Sequence, residues 1–331
     1  MKSKFSAQVA GLGAYTPATV LTNADFEKMV DTSDEWITSR TGIKRRHVVG
    51  DSGEATSDLS TKAAEMALAD AGMSAADLDL ILVGTVTPDM KTPSSAVIVQ
   101  RRLGAKRAAA MDLNAACVGY LYGLTTGRAF IESGMYENVL VVGAETLTSI
   151  TNYQDRGTCV LFGDGAGATV LTRAENTGRG ILASHIAADG NHEGLLFVRA
   201  GGSREKVTTE NMHNGALYIN MNGSEIYKFA VRNMQDSAEK VIAEAGIKPE
   251  EIDLVIPHQA NIRIIDSLQR RLNVPDEKIF VNIAEYGNTS SASIPIAMTE
   301  AKQQGRMKSG DLVLLVSFGG GLVWGAVLVR I

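Results

Sequence analysis

Cys117 has the side chain with the greatest potential for covalent chemistry in this sequence. It lies in "MDLNAACVGYLYGL", residues 111–124. Residues 108–113 are typical of a buried strand, and residues 118–134 of a closely packed helix. At such a corner, as in a nucleophile elbow, the helix dipole and free N–H groups favour a thiolate. The alternative at this point is a structural cysteine that serves as a small apolar side chain.

Two other sequences contain side chains that could assist a nucleophilic cysteine. His258 follows a predicted strand in "DLVIPHQANIR", and Asn288 lies in the loop "EYGNTSSASIP" before a predicted helix. Histidine can carry a proton, and both side chains can donate hydrogen bonds to a developing negative charge. Taken singly, a structural histidine and a capping asparagine are the commoner interpretations. The glycines of "SFGGGLVWG" could bring backbone N–H groups to an oxyanion or form a plain turn.

An internal repeat predicts how these residues are positioned. "AEMALADAGMSAADLDLILVGT" (residues 64–85) aligns without a gap with "AEKVIAEAGIKPEEIDLVIPHQ" (residues 238–259). Each predicts an amphipathic helix ended by Gly72 or Gly246, a short acidic turn and a strand. We therefore expect a duplicated α/β unit, with mostly parallel sheets buried between helical layers. A pseudo-twofold packing of the halves would bring the cysteine, the histidine and the asparagine together.

Composition narrows the class of protein. The chain has 331 residues, of which 45% are hydrophobic and 21% charged, as in a globular protein with about two core-forming units. Only two cysteines are present, so we predict neither a disulfide framework nor a metal site. A net charge of −5 argues against nucleic-acid binding. We predict no signal peptide, membrane anchor or membrane span, and therefore a cytoplasmic location.

Six motifs, in order along nearly the whole chain, resemble a known family. They are "DTSDEWITSRTGI", "AACVGYLYGL", "DRGTCVLFGDGAGA", "HQANIRI", "GNTSSAS" and "FGGGLVWG". Together they resemble β-ketoacyl-acyl carrier protein synthase III, the condensing enzyme that starts fatty acid synthesis. The resemblance implies a thiolase-like five-layer αβαβα fold in two similar halves. Residues 1–175 would carry the nucleophile and residues 176–331 the histidine and asparagine, in a homodimer.

The resemblance also implies a division of catalytic roles. Cys117 would take an acyl group from acyl-coenzyme A, which is a substrate, so that no bound cofactor and no metal are expected. His258 and Asn288 would hold the thioester carbonyl of malonyl-acyl carrier protein while it loses carbon dioxide. The backbone N–H groups of Cys117 and Gly320 would form the oxyanion hole.

Binding residues are implied in the same way. Trp36 and Arg156 would enclose the adenine ring of coenzyme A, and Arg40 would contact a phosphate. Thr92 and Phe318 would belong to the acyl pocket. The carrier protein would dock on Gln259, Ala260, Asn261, Ile262 and Arg263, with a basic face extended by Arg270, Arg271, Lys228 and Arg232.

The chain departs from the family pattern at a few positions. Thr92 stands where some members carry a bulky aromatic residue that closes the acyl pocket, so we expect primers longer than acetyl to be accepted. Ser317 and Val323 stand where glycine and threonine are expected. Three alternatives stay open: a condensing enzyme of a specialised-metabolite pathway, a Cys-His-Asn thioester hydrolase, and a binding protein that has lost the chemistry.

Overall fold

The computed structural model describes residues 4–175 and 178–331. Its strands are β1 Phe5–Tyr15, β2 Thr19–Thr22, β3 Arg45–Val48, β4 Leu80–Gly84, β5 Ala109–Leu113, β6 Asn138–Thr146, β7 Asp164–Glu175, β8 Gly180–Ala188, β9 Leu196–Val198, β10 Ile219–Met221, β11 Leu254–Pro257, β12 Leu312–Gly319 and β13 Val323–Arg330. Its α-helices are α1 Asn23–Phe26, α2 Asp34–Thr41, α3 Thr56–Ala71, α4 Ser95–Leu103, α5 Gly119–Glu132, α6 Arg156–Cys159, α7 Gly223–Ala245, α8 Ile262–Leu272, α9 Ile283–Tyr286 and α10 Ser293–Gln303.

Two sheets form the centre of the fold. The first has the strand order β1-β7-β6-β4-β5 and the second β11-β12-β13-β8. Strand β4 runs parallel to β5 and β6, and β11 runs parallel to β12, whereas the other pairings in the two sheets are antiparallel. The prediction of mostly parallel sheets is therefore wrong. A tight turn joins β12 directly to β13, and a hairpin connection of this length can only produce antiparallel neighbours.

Five layers stack around three apolar clusters. Helices α3 and α4 cover the outer face of the first sheet, and α7 and α8 cover the outer face of the second. Helices α5 and α10 lie between the two sheets, where Leu121, Leu124 and Ile294 are buried against residues of both. Because helices cover both faces of each sheet, the central strands are apolar along nearly their whole length.

The repeat in the sequence corresponds to a repeat in the structure. Helix α3 ends at Gly72 and α7 at Gly246, and both glycines adopt left-handed φ angles of 64° and 69°. In the strand that follows each helix, an aspartate immediately precedes the first residue. Asp79 accepts a hydrogen bond from the N–H of Asn138, and Asp253 accepts one from the N–H of Leu312. The same local interactions therefore position β6 beside β4 and β12 beside β11.

The strands of the two sheets divide along the chain. Those of the first sheet end at Glu175, and those of the second begin at Gly180. The predicted boundary falls at residues 175 and 176, and residues 176–177 lie outside the described residues. Strand β5 has only a partial counterpart in the second half, an isolated parallel bridge between Val255 and Ile279.

A smaller cap covers one end of the layers. It contains the β2–β3 and β9–β10 pairs with α1, α2, α6 and α9, and its apolar cluster includes Phe26, Ile37 and Phe162. The cap lies over the carboxyl ends of β4, β6 and β11, where ligand sites of such sheets are found. Within the described residues, none of the helices combines the length and apolar character needed to cross a membrane.

Candidate active site

Cys117 lies at the predicted corner between β5 and α5. It is the middle residue of a short 3-10 turn, Ala116–Val118, that leads into α5. Ala116 has a φ of 43°, in the left-handed region that non-glycine residues rarely adopt. Gly84 of β4 packs so closely on the start of α5 that an added Cβ would lie 2.5 Å from the carbonyl carbon of Gly119. This close approach requires glycine and holds the corner against the sheet.

The electrostatic surroundings of Cys117 favour the neutral thiol. Burial raises the pKa of the thiol to about 12, and the negative charge of Glu145 acts in the same direction, while a hydrogen bond with Ser290 opposes them. Burial therefore opposes the effect of the helix start that the sequence predicts, and a resting thiolate stays a prediction. The thiol must lose its proton as it reacts.

His258 lies where the sequence predicted, directly after β11. Its backbone N–H donates to the carbonyl of Val316 at 2.8 Å, which extends the pairing of β11 with β12. Its Nδ1 lies 2.7 Å from Oγ of Ser293, and that oxygen also accepts the N–H of Gln259 at 3.3 Å. Donation of the Ser293 hydroxyl proton to Nδ1 leaves the ring proton on Nε2. Burial lowers the pKa of His258 to about 3, so the imidazole is neutral.

Asn288 lies at the corner of the second half that matches Cys117 in the first. It precedes the 3-10 turn Ser290–Ala292, which leads into α10 as the Cys117 turn leads into α5. Ser290 has a left-handed φ of 49°, the counterpart of the 43° at Ala116. The N–H of Ser290 donates to Oδ1 of Asn288 at 2.9 Å. Because this N–H needs an acceptor, the contact assigns the amide oxygen to this position, and the Nδ2 group is left to donate to a ligand.

Two cavities meet at Cys117. The first, of about 370 Å³, also contains Ser290 and Gly320 and is otherwise largely apolar, with Val86, Leu147, Ile150, Phe162, Val198 and Ile219 in its wall. The second, of about 120 Å³, is lined by Cys117, His258, Asn288, Phe318 and the side chains of α7 and α8 that face it. The structure thus brings the three predicted catalytic side chains to one cavity and gives Cys117 a second one.

The turn after β12 packs directly on the cysteine. A Cβ at Gly319 would lie 2.8 Å from the backbone nitrogen of Cys117. The hydroxyl of Ser317, which is fully buried, donates to the Cys117 carbonyl at 2.8 Å. This contact gives the departure at Ser317 a structural reason, since a glycine would leave the carbonyl without that donor. Nothing in the structure explains Val323.

The predicted coenzyme A residues cluster on the cap. Trp36 on α2 contacts two guanidinium groups, Arg40 at 4.8 Å and Arg156 at 5.0 Å from its ring centroid. Arg156 also donates to the carbonyl of Asp31 at 2.8 Å. Its guanidinium contacts the indole directly, a cation–π arrangement with no room for a ring between them. The predicted enclosure of adenine between Trp36 and Arg156 therefore requires Arg156 to move first.

The predicted docking segment, residues 259–263, is divided by the fold. Gln259 is buried, and its amide contacts the carbonyl of Pro257 and the N–H of Asn282. Its side chain therefore does not reach the surface, and its role in docking stays a prediction. Ala260 and Asn261 line the second cavity, so they face a ligand in that cavity.

Ile262 and Arg263 begin α8. Ile262 packs on Gly42 at the end of α2, and the exposed Arg263 donates to the carbonyl of Ser39 at 3.3 Å. Neighbouring basic side chains are partly neutralised, since Lys228 pairs with Glu225 at 2.7 Å. Arg232 lies 3.9 Å from Asp236, Arg271 contacts Gln235, and Arg270 contacts Ser267.

The two residues assigned to the acyl pocket lie elsewhere in the single chain. Thr92 is exposed and lies outside both cavities, on the loop that precedes α4. Phe318 lines the smaller cavity with His258 and Asn288 and not the larger apolar one. The larger cavity is lined instead by residues from several separate segments, which is why no local motif indicates it.

Sequence reasoning missed Glu145, Ser290 and Ser293. Glu145 is fully buried at the end of β6, and burial raises the pKa of its carboxyl to about 7. A glutamate in the otherwise apolar run "NVLVVGAET" was the available signal, because a carboxylate in a buried strand needs partners. Ser290 and Ser293 belong to the quoted motif "GNTSSAS", but spacing alone did not show which hydroxyl faces which catalytic side chain.

Two family models and a full-length relative match this chain. Residues 111–190 match the family 3-oxoacyl-[acyl-carrier-protein] synthase III, and residues 242–331 match its C-terminal part. β-Ketoacyl-[acyl-carrier-protein] synthase III of Caldanaerobacter subterraneus subsp. tengcongensis is 51% identical over 330 residues, which cover 100% of this chain and 99% of that protein.

Solved structures agree over the same length. The crystal structure of 3-oxoacyl-[acyl-carrier-protein] synthase III from Aquifex aeolicus VF5 is 50% identical with a TM-score of 0.91, over 98% of this chain and 100% of that one. The priming β-ketosynthase from the R1128 polyketide biosynthetic pathway is 31% identical with a TM-score of 0.91, over 100% of this chain and 98% of that one.

Five layers built from two similar halves, with a cysteine at the corner of one half, define a condensing acyltransferase of the thiolase-like fold. The Caldanaerobacter and Aquifex proteins named above are 51% and 50% identical to this chain and cover 100% and 98% of it. The chain belongs to the β-ketoacyl-[acyl-carrier-protein] synthase III family.

Proposed function

We propose that this enzyme condenses an acyl-coenzyme A primer with malonyl-acyl carrier protein through an acyl-Cys117 intermediate, and so initiates fatty acid biosynthesis. The observation that carries the proposal is the convergence of Cys117, His258 and Asn288 on one cavity. That set supplies a nucleophile and two hydrogen-bond donors, which is sufficient for the reaction without a bound cofactor or metal. The nucleophile would belong to a half formed by residues 1–175, and the two donors to a half formed by residues 176–331.

In the first half-reaction, the sulfur of Cys117 attacks the thioester carbon of acyl-coenzyme A. The thiol proton leaves as the carbon–sulfur bond forms and passes to the departing coenzyme A thiolate, because Nε2 of His258 already carries the ring proton and Nδ1 accepts from Ser293. The negative charge on the former carbonyl oxygen is held by the N–H groups of Cys117 and Gly320. The carbon–sulfur bond to coenzyme A then breaks, and the departing thiolate takes up a proton.

In the second half-reaction, malonyl-acyl carrier protein loses carbon dioxide and leaves an enolate. Nε2–H of His258 and Nδ2–H of Asn288 donate to the thioester oxygen that becomes the enolate oxygen. The enolate carbon attacks the acyl group on Cys117, and the sulfur leaves as a thiolate that is then reprotonated. The product is a β-ketoacyl-acyl carrier protein.

Substrate delivery fits the position of α2 and α8. We propose that the nucleotide of coenzyme A binds at Trp36 and Arg156, with Arg40 near its phosphates, after Arg156 leaves the indole. The carrier protein docks beside it at Arg263, whose guanidinium reaches the backbone of α2. Both carriers would then use the smaller cavity as a common entrance to Cys117.

We further propose that the enzyme is a homodimer paired through β5. This strand is an edge of the first sheet, and Met111 on it is exposed. Exposed edge strands are sites of pairing with another chain, and a twofold axis pairs the strand with itself. Asp112 of β5 accepts the N–H groups of Ser95 and Ala96, which holds the Thr92 loop next to the same edge. Thr92 would then face the partner subunit.

The larger cavity suggests the class of primer. Its volume of about 370 Å³ and its apolar wall fit an acyl chain longer than acetyl. The test is mass spectrometry of the purified protein with malonyl-acyl carrier protein and a panel of straight and branched acyl-coenzyme A primers. We expect β-ketoacyl-carrier products, with a longer or branched primer turned over faster than acetyl. Best turnover with acetyl would overturn the primer assignment.

A related function is a condensation in a specialised-metabolite pathway, which the likeness to a polyketide priming β-ketosynthase favours. In the same assay, acylation of Cys117 without any β-ketoacyl product would favour a different extender or acceptor. Release of free acid in the absence of malonyl-acyl carrier protein would instead favour the function of a Cys-His-Asn thioester hydrolase.

A further inference from the structure

A buried carboxylate lies behind the catalytic corner and outside both cavities. Glu145 ends the run of apolar residues in β6, is fully buried, and lines neither the larger nor the smaller cavity. It cannot touch a substrate held in either space. A carboxylate in this position is costly to bury unless the surrounding groups compensate for lost water.

The compensation comes from two sides of the carboxyl group. Oε2 accepts hydrogen bonds from Thr87 Oγ1 at 2.7 Å, Thr85 Oγ1 at 3.1 Å and the Val86 N–H at 3.1 Å. Oε1 accepts from Ser290 Oγ at 3.1 Å and Ser291 Oγ at 3.2 Å. One oxygen therefore binds the loop after β4, and the other binds the turn that leads into α10. Glu145 joins these two segments, which come from different halves of the chain.

The Ser290 turn is the link to the reacting groups. Ser290 is strained, with a φ of 49°, and such a conformation persists only where surrounding contacts enforce it. Its N–H fixes Oδ1 of Asn288, and the residue lines the larger cavity together with Cys117. Ser291 at the same turn also donates to the Gly84 carbonyl at 2.7 Å, beneath the start of α5. A displacement of this turn would therefore disturb Asn288 and Cys117 together.

We propose that Glu145 is a positioning residue: it holds the Ser290 turn so that the Asn288 amide donates into the smaller cavity and the Ser290 side chain stays beside Cys117 in the larger one. The proposal rests on the proposed function for the Asn288 part, since that part concerns enolate stabilisation. The Cys117 part concerns a free thiol and is independent of coenzyme A and of the carrier protein.

The charges around Glu145 are consistent with this role. Its own pKa is raised to about 7 by burial, and its negative charge raises the pKa of Cys117. The other titratable side chains on elements packed against this end of β6 have their own partners: Asp164 with Val49 and Thr148, Tyr120 with Thr169, Asp58 with Arg102, and Lys62 with Glu54. Of these side chains, Glu145 is the one whose charge acts on the Cys117 thiol, and His258, which shares the smaller cavity with Cys117, is neutral.

The test is Glu145→Gln, which keeps the size of the side chain and removes its charge. The new amide has one acceptor oxygen, so either the two serines or the three donors of the loop after β4 face its NH2 group and lose their acceptor, and the carboxylate no longer joins the two segments. We expect the pH midpoint for alkylation of Cys117 by iodoacetamide to fall by about one pH unit or more. The readout is the mass of the Cys117 peptide, because Cys159 is also a free thiol. We also expect carbon dioxide release from malonyl-acyl carrier protein to slow by about tenfold to a hundredfold.

Thr146→Val is the matched control. Thr146 is the next residue, is also buried, and its hydroxyl contacts Thr56 rather than the carboxylate of Glu145. The variant should keep the wild-type alkylation profile and decarboxylation rate. A folded Glu145→Gln with a wild-type alkylation profile and decarboxylation rate would overturn the proposal, as would equal changes in Thr146→Val.

Thr87→Val covers the case in which Glu145→Gln does not fold. It removes the shortest of the five donors to the carboxylate and weakens the hold of Glu145 on the loop after β4, so carbon dioxide release should slow, by less than in Glu145→Gln. Because Glu145 stays ionised at the alkaline pH at which the thiol titrates, the alkylation midpoint should stay at the wild-type value. A wild-type rate of carbon dioxide release in this variant would overturn the positioning role. If the wild-type protein fails to decarboxylate malonyl-acyl carrier protein, the proposed function fails, while the alkylation profile still decides the role of Glu145 at the thiol.

Discussion

Replacing Asn288 by aspartate isolates one hydrogen bond of the proposed enolate site. The N–H of Ser290 already binds Oδ1 of Asn288 at 2.9 Å, and a carboxylate can accept the same bond. Asn288→Asp therefore keeps the side chain in place and exchanges only Nδ2 for oxygen. A donor aimed at the enolate becomes an acceptor with a negative charge.

The expected loss has two parts. Removal of one preorganised donor to a developing oxyanion costs about 2.7–4 kcal/mol, or about 10²–10³ in rate. A carboxylate about 4 Å from the enolate oxygen adds a repulsion of about 4 kcal/mol at an effective dielectric constant of about 20. Asn288→Ala should show only the first part, and Asn288→Asp both, or a loss of about 10⁵–10⁶. Since Asn288 is 8% exposed, burial and the nearby Glu145 should raise the pKa of the new carboxyl group.

The assay measures two steps in each variant, acylation of Cys117 by mass spectrometry and carbon dioxide release from malonyl-acyl carrier protein. We expect acylation to be spared in both variants. The decarboxylation rate of Asn288→Asp should rise as the pH falls, since the protonated carboxyl group can donate again, whereas Asn288→Ala should show no such recovery. Equal decarboxylation rates in the two variants at every pH, or an equal loss of acylation in Cys117→Ala and Asn288→Ala, would refute this division of roles.

Three further outcomes follow from buried or stacked charges. Arg46→Met should lower the free energy of unfolding by about 2–5 kcal/mol, because the Val160 carbonyl and Asn23 Oδ1 would lose the donors that the fully buried guanidinium supplies. Urea unfolding of this variant is compared with that of Arg45→Met, which changes an exposed arginine. Equal losses of stability in the two variants would contradict the prediction. The pKa of His258 is about 3 in the folded protein and near 6.5 when unfolded, so its contribution to stability is present above pH 6.5 and is lost as the pH falls. Between about pH 7.5 and pH 5 the wild type should lose about 2 kcal/mol more than His258→Asn, and parallel curves would contradict the shift. Arg156→Ala should raise KM for acyl-coenzyme A by about three- to tenfold without changing kcat. The KM for a truncated acyl thioester that lacks the nucleotide should stay the same. An equal rise in that KM would contradict the nucleotide contact.

Much of the architecture was readable from the sequence because its signals are local. The repeat at residues 64–85 and 238–259 predicted two helices ended by glycine and two following strands, and the structure contains them at α3–β4 and α7–β11. Residue order predicted the corner of Cys117, the strand end at His258 and the turn at Asn288. Strand direction in the sheets was less accessible, because an apolar strand buried on both faces has the same composition in a parallel and an antiparallel pairing.

The sequence by itself determined the duplicated unit, the position of the candidate nucleophile and the family, since these depend on residue types, their order and their spacing. Only the tertiary structure decided the protonation states of the site residues and the contacts that hold them in place. Burial, which depends on segments far apart in the chain, raises the pKa of Cys117 and lowers that of His258. Folding also placed Gln259 inside, Thr92 outside both cavities, and Glu145 behind the Ser290 turn. Desolvation and hydrogen bonding act through space, so no local pattern could have specified them.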